Sequence, residues 1–458
     1  MSFPRYPAYK DSGVEWLGEV PAHWKVMPLV RDIEFITSGA RGWAENYSDD
    51  GDLFIRIGNL TRDSIKLDLF DVQRVVVPVG AEVDRTQVRE GDVLFSITAY
   101  LGSVAVVPSD LGKAFVSQHV ALVRPTKRQC MSAWIGYVAL SHVGKTHLET
   151  TGYGGTKVQL SLADVTTMPV LVPPGDEQSR LVGFLDRETA KIDALVAEQE
   201  QLITLLKEKR QAVISHAVTK GLDPLVPMKD SGVEWLGAVP DHWGVGRIKH
   251  VVASFEQGWS PQCESFPVES ESDWGVLKVG CVNGGIFKPE ENKALPPNLT
   301  AMPELGVCLG DLLISRANTR ELVGSAAVVL ADRQNLLLCD KLYRLRLKQS
   351  LCLPGFLSLF LSTELARGQI ELAATGASSS MVNIAQSTIL EMSVPLPPVT
   401  EQATLLSTVE QRTLEQDQLI GEAVLSIELL RERRSALISA AVTGQIDVRG
   451  LALAKEAA

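Results

Sequence analysis

The 458-residue chain predicts an α+β fold: two strand-rich domains in pseudo-twofold tandem repeat, separated by two long antiparallel coiled-coil helices. Three observations lead there. The opening segment Lys10 to Trp24 returns as Lys229 to Trp243, with only Glu19/Ala238 and Ala22/Asp241 differing. Short β-branched runs punctuated by Gly, Asp and Pro fill the middle of each half, the pattern of short strands and turns. Each half then closes on about forty residues without proline, dominated by Ala, Leu, Glu, Gln, Lys and Arg, the composition of a long helix.

The duplication decides the architecture, because a repeat tells how many units the chain builds. Its offset is 219 residues from Lys10 to Lys229 and again from Gly91-Asp92-Val93-Leu94-Phe95-Ser96 to Gly310-Asp311-Leu312-Leu313-Ile314-Ser315. A three-residue insertion raises it to 222 at Gly102/Gly324, and it is 224 at Glu177/Glu401. Each half is thus a variable middle inside a shared frame. The expected divisions are a first domain over 1–172, a central helix and linker over 173–228, a second domain over 229–396, a distal helix over 397–445 and a tail over 446–458.

Within the first domain, Leu53 to Ile57, Arg74 to Val79 and Val104 to Val107 are expected as strands. Segments near Met131 to Val143 and Pro354 to Ala366 have helical patterning, which makes the class α+β. The long helices are expected from Glu177 to about Val218 and from Glu401 to about Val442. Asp176 and Thr400 precede them as suitable N-caps, and Glu177 and Glu401 favour the positive end of the helix dipole.

On the central helix, Leu181, Leu185, Ile192, Leu195, Leu202, Leu206 and Val213 follow steps of three and four, interrupted by Glu188, Gln199 and Lys209. Leu405, Val409, Leu419, Leu430 and Leu437 hold the equivalent places on the distal helix, in the same heptad phase because 224 is a multiple of seven. The two seams are expected to bury against each other. Only the short stretch Thr219 to Met228 precedes the second repeat, so the second helix must run back antiparallel. Charged replacements at Leu195 and Leu202 should then disrupt the pairing.

Hydrophobic content of 45% and charged content of 22% are ordinary for globular proteins. The first residues carry no apolar export region, and no run of about 18 apolar residues could span a bilayer. A cytoplasmic location and no membrane contact are expected. Six scattered cysteines without a C-x-x-C pair indicate reduced thiols and no metal site. The net charge of −11 argues against coating nucleic acid by bulk electrostatics, so any DNA binding needs basic residues gathered on one face or supplied by a partner.

Catalytic patterns are weak. Gly144-Lys145-Thr146 resembles the end of a phosphate loop, but Ala139 stands where the first glycine belongs. Glu291-Asn292-Lys293 has nuclease-like spacing without an upstream acidic partner. His142 and His147 lack a ligand-pair spacing, and for His23 and His242 packing against Trp24 and Trp243 is expected. No catalytic residue emerges.

Four repeated motifs carry a resemblance. They are Trp-Leu-Gly-x-Val-Pro-x-His-Trp, the Gly-Asp strand ending in Ser, Pro-Pro-x-x-Glu-Gln, and Arg-x-Ala-Val/Leu-Ile-Ser at the helix ends. Present twice and in order over nearly the whole chain, they resemble the specificity subunits of type I restriction-modification systems. The resemblance implies two target-recognition domains, 1–172 and 229–396, each reading one part of a bipartite, asymmetric double-stranded DNA site. It further implies that the helices space the readers and dock methyltransferase subunits, expected as two, with restriction/translocase subunits joining. S-adenosylmethionine, ATP and magnesium belong to those partners, with no cofactor on this non-catalytic chain. Readers related by approximate twofold symmetry suit half-sites about one helical turn, roughly 34 Å, apart. The competing expectation is a duplicated coiled-coil adaptor that binds protein partners without reading DNA.

Base reading needs side chains with paired donors or acceptors, supported by phosphate contacts. In the first half the candidates are Arg41 and Asn46 near the Gly39 to Trp43 loop, Tyr100 after the Gly-Asp strand, and Thr156 and Lys157 at the Gly154-Gly155 turn. In the second half Arg316, Asn318 and Arg320 lead, with Gln257 and Ser379 in loops taken as equivalent. Core packing is the expectation for Trp43 and Trp259.

Overall fold

The computed structural model describes residues 3–78, 80–154, 158–270, 272–378 and 381–450. The chain divides into two compact units. One joins the stretch up to Glu200 to the stretch from Val424 on, and the other is the continuous segment Gln201–Ala423.

In the first unit an antiparallel sheet runs in the order Ile33–Ser38, Val120–Pro125, Val93–Ser96, Val104–Val106. A second sheet runs Ala114–Val116, Asp52–Ile55, Gln73–Val75, Tyr47–Ser48, its first pair parallel. The Gly-Asp strand is central, and its side chains alternate between two cores, as a strand period of two requires. Val93 and Phe95 face a core with Trp24, Trp134, Leu181 and Leu185. Leu94 faces the other way, onto a core with Leu53, Ile55 and Val116. Helices Ser132–Leu140 and His142–Thr151 cover the first of these faces.

The second unit repeats the plan. Its sheets run Val252–Gln257, Leu342–Leu347, Leu312–Ser315, Ala326–Val328 and Asn292–Ala294, Gly275–Leu277, Arg333–Leu337, Gly306–Val307. Leu312 and Ile314 enter a core with Trp243, Phe356 and Leu405, while Leu313 enters one with Val276, Val307 and Leu337. A third sheet joins Ala317–Asn318, Met381–Asn383 and Thr375–Ser378.

The shared motifs have physical reasons. Asp92 is buried and takes a bidentate contact from Arg124, at 2.8 and 2.7 Å, together with the Arg89 backbone N–H. Asp311 repeats this with Arg346, at 2.8 Å, and the Cys308 N–H; that hydrogen bond raises the Arg346 pKa. At the helix start, Glu177 accepts from Trp24 Nε1 at 2.9 Å, pairs with His23 Nε2 at 2.8 Å and accepts from the Tyr6 hydroxyl. Burial, and then the Glu177 contact, raise the Tyr6 pKa. Glu401 takes the same two contacts from Trp243 and His242, at 3.0 and 2.8 Å. The histidines therefore serve a carboxylate as well as lying edge-on to their tryptophans. Gln178 and Gln402 each tie the Pro-Pro turn to the helix-pair loop, donating to Pro173 and Gln129 or to Pro397 and Leu351.

The central helix spans Gly175–Lys220 and the distal helix Val399–Val442. Asp176 and Thr400 lie inside the first turn and are not the caps, because Gln178 and Gln402 already donate their N–H groups to Pro174 and Pro398. Within the first unit the helices pair antiparallel. Asp193 meets Arg434 at 2.8 Å and Glu200 meets Arg431 at 3.2 Å, one number rising as the other falls. The second unit contains the equivalent exchange, Arg210 with Asp417 at 3.0 Å.

The seam differs from the expected one in every second layer. Leu181, Leu185, Ile192, Leu206 and Leu405 are buried and Leu430 is half-buried. Leu195, Leu202 and Leu419, however, are 45%, 41% and 47% exposed. In the first unit the covered row is Leu185, Thr189, Ile192, Val196, Gln199; in the second it is Ile203, Leu206, Arg210, Val213, Ala217. The spacing is four then three, where the sequence reading took three then four, and a one-residue slip turns a helical side chain by about 100°. Leucine content favoured the wrong phase, although Glu188 and Lys209 fell on it.

Candidate nucleic-acid interface

Each unit gathers separate chain segments where its two four-stranded sheets meet, and it does so with backbone hydrogen bonds. In the first unit Ala40 N donates to Val116 O at 2.9 Å, Ile97 N to His119 O at 3.1 Å and Leu160 N to Ile97 O at 2.9 Å. The second unit makes the same three bonds at the repeat-equivalent positions: Trp259 N to Leu338 O, Arg316 N to Lys341 O and Ile384 N to Arg316 O, at 3.0, 2.8 and 3.0 Å. Main-chain bonds do not depend on side-chain identity, so the frame is kept while its side chains vary.

One glycine per unit makes the approach possible. A Cβ on Gly39 would stand 2.1 Å from Val116 O and 2.2 Å from Ser117 O, and on Gly258 2.0 Å from Leu338 O. Any larger residue would push the crossing segments apart.

Around this frame Arg41 is exposed, with its backbone N–H 3.4 Å from Glu82 Oε1. Asn46 ends the 3-10 turn Trp43–Asn46 and accepts from Val76 N. Tyr100 is 63% exposed and follows Ala99, whose φ of +62° is a left-handed conformation costly for a non-glycine residue. Thr156 and Lys157 lie outside the described residues, but the flanking Tyr153 and Gln159 pair with each other and Gln159 bridges to Thr98. Trp43 is buried and stacked on Phe54 at 5.7 Å, and Trp259 is half-buried against a core.

In the second unit Gln257 Nε2 and Arg316 Nη1 converge on the Asp340 carbonyl, at 3.0 and 3.3 Å. Asn318 Nδ2 donates to Asn283 Oδ1 at 3.2 Å. Arg320 leaves this group, since its Nη1 donates to Glu371 O in the helix Glu364–Ala373. Ser379 lies outside the described residues. The structure thus brings Gln257 and Arg316 together but not Arg320.

A feature the sequence reading did not single out sits between these loops. The chain crosses from one sheet to the other through a tight turn, closed by Val120 N to Ser117 O at 3.0 Å and by Leu342 N to Cys339 O at 3.1 Å. Its central residues are Gln118-His119 and Asp340-Lys341. Only the repeat alignment carried through the variable middle could have marked them.

Nothing here supports bond-making chemistry by the described residues. Gly144-Lys145-Thr146 lies within the helix His142–Thr151 and follows no strand. The Lys145 pKa is lowered, first by burial. Burial pushes the thiols of Cys130, Cys339 and Cys352 up to about 12. All six cysteines are free, and no group of three potential metal ligands occurs among the described residues. No described helix is long and apolar enough to cross a membrane.

Residues 30–205 match the family described as type I restriction modification DNA specificity domain. The EcoKI specificity subunit of Escherichia coli K12 is 25% identical over 450 residues, 94% of this chain and 90% of the relative. The EcoEI specificity subunit of Escherichia coli is 29% identical over 219 residues, 48% of this chain but only 36% of the relative. Among solved structures, a chain from work on complex assembly and conformational transition of the type I R-M system aligns with a TM-score of 0.67 at 18% identity, over 93% of this chain and 99% of that one. That last likeness speaks for the fold alone. By the domain matched over residues 30–205, by relatives aligned along almost its full length and by its doubled frame, the chain is similar to the specificity subunits of type I restriction-modification systems.

Proposed function

We propose that this chain is the non-catalytic, sequence-reading subunit of a type I restriction-modification complex, and that the loop cluster of each unit reads one part of a bipartite double-stranded DNA site. The observation that carries the reading is the repeated backbone frame furnished with different side chains. Equivalent places hold Ile97 and Arg316, Gln118 and Asp340, His119 and Lys341, so the two parts of the site differ in sequence. The target-recognition domains of this proposal are 1–172 and 229–396. Arg316 and Gln257 are its leading contacts in the second, and Arg41 and Tyr100 in the first.

The helices dock methyltransferase subunits, two in number, through faces that pairing leaves open. Leu195, Leu202 and Leu205 are exposed on the central helix within their units, as are Leu414, Leu419 and Leu425 on the distal one, and rows of exposed leucine favour a partner surface. Restriction/translocase subunits complete the assembly in the cytoplasm. S-adenosylmethionine, ATP and magnesium are held by those partners.

The net charge of −11 is what an adaptor without DNA readout would show. The two readings separate in one measurement. The chain assembled with its methyltransferase should bind duplex carrying its site with an affinity that falls steeply as salt rises, and deletion of the gene should erase a split methylation motif from the genome. Salt-independent, sequence-blind binding by the complex would favour the adaptor.

A further inference from the structure

We infer that the two-residue turn joining the sheets, Gln118-His119 in the first unit and Asp340-Lys341 in the second, is the base-reading tip of each lobe. This rests on the DNA-reading function proposed above and names its specificity-determining residues.

The turn is held from several sides without using its side chains. In the first unit its first residue, Ser117, donates its N–H to Ile55 O at 2.9 Å, its own closing bond comes from Val120 N, and Ile97 N holds the His119 carbonyl. Gly39 lies flat against its entry, where a Cβ would meet two carbonyl oxygens. The second unit repeats the closure, the bond to Lys341 O and the glycine contact at Gly258. Such a mount places two side chains reproducibly, as recognition of base edges demands. Ser117 and Cys339 point into the core and are buried, while Gln118 is exposed and His119, Asp340 and Lys341 are partly exposed.

The chemistry at the tip differs between units in the way base edges differ. Gln118, exposed and with its Nε2 3.2 Å from His119 Nε2, carries an amide donor and acceptor, the complement of adenine N6 and N7 in the major groove. Lys341 offers donors to guanine O6 and N7 and has no ion-pair partner among the described residues. The Asp340 carbonyl gathers Gln257 and Arg316 beside it. A cavity of about 330 Å3 adjoins this turn, lined in part by Lys278, Lys293, Asp340 and Lys341; Lys278 is paired with Glu291 at 2.9 Å, which leaves Lys293 and Lys341 to face a phosphate backbone.

The test uses the full chain produced with its methyltransferase and nuclease subunits in a methylation-free host, with methylated bases mapped genome-wide. Gln118→Ala should relax one adenine position in one half-site by roughly tenfold or more, leaving the other half-site stringent. Lys341→Ala should relax a guanine position in the other half-site to a similar degree. The double variant Gln118→Asp with His119→Lys keeps a polar turn and should change the base preferred at the same position. Thermal melts matching wild type show that each variant folds. An unchanged motif at full stringency in all three overturns the inference, and so does a loss of affinity that is equal for every sequence. A wild-type complex that yields no motif would instead sink the DNA-reading function itself.

Discussion

Asp92 shows how much one carboxylate can hold. It is 1% exposed and satisfies both nitrogens of the Arg124 fork and a turn amide. Arg124 is itself only 14% exposed at its side chain, so neither partner can turn to water if the other is lost. Asp92→Asn should therefore destabilise the first unit by about 3 kcal/mol, read as a lower urea midpoint, while the equivalent Asp311→Asn leaves the first unit's transition unmoved. At this scale the sequence was half legible. Gly91-Asp92 stood out as a repeated pair, but the arginine lies 32 residues on, across a strand pairing that no local pattern reveals. From the sequence alone Glu177 serves only the helix dipole, for the same reason: its partners Tyr6, His23 and Trp24 are more than 150 residues away. Candidate contact residues are harder still, because Arg320 and Arg316 have the same chemistry and stand four positions apart, yet one caps a helix end and the other joins the loop frame.

The long helices were readable as elements but not in rotation. Their proline-free composition gave both spans to within a few residues. The choice between three-then-four and four-then-three spacing depended on weighing Leu195 and Leu202 against Val196 and Ile203, and the structure covers the β-branched pair. The true row also accepts Arg210 and Arg434, each answered by an aspartate, Asp417 and Asp193. Charged residues within a seam select its register at some cost in stability, so a search for an all-apolar stripe discards the phase that uses them. Ile192→Ala should cost about 2–4 kcal/mol, whereas Leu195→Glu should cost less than about 0.5 kcal/mol in the isolated chain. Paired thermal melts of the two variants check the assignment, and equal losses would restore the original phase.

For the whole molecule, the repeat predicted two lobes on one plan. One four-stranded sheet and three strands of the other follow it from lobe to lobe, but the fourth strand lies on opposite edges, Tyr47–Ser48 beside Gln73–Val75 in one lobe and Gly306–Val307 beside Arg333–Leu337 in the other. The three-stranded sheet containing Ala317–Asn318 extends a pairing common to both lobes, Ala317 with Asn383 corresponding to Thr98 with Gln159. Among the described residues, its first-unit counterpart consists of isolated bridges at Thr98, Tyr153 and Gln159. Each lobe is also sealed by the start of one long helix and the end of the other. Leu181 and Leu185 join Ile438, Ala441, Val442, Ile446 and Val448 in the first core, and Leu405 and Val409 join Ile214, Ala217 and Val218 in the second. A chain ending at Ala436 loses five buried apolar side chains, the four Ile and Val each worth about 1.5 kcal/mol or more, a total comparable to the stability of a typical domain. Hydrogen exchange should then become fast across residues 1–200 and stay slow across 201–423; uniform protection would show that the C-terminal segment is dispensable to the first lobe.

That sealing also sets an order of birth. The lobe made from one uninterrupted stretch can close once Ala423 has cleared the ribosome, while the lobe whose synthesis begins first must wait for the segment from Val424 to Val448. Until that segment emerges, its tryptophan-rich interior stays unfinished and open to chaperones, so the lobe begun earlier in translation matures after the other.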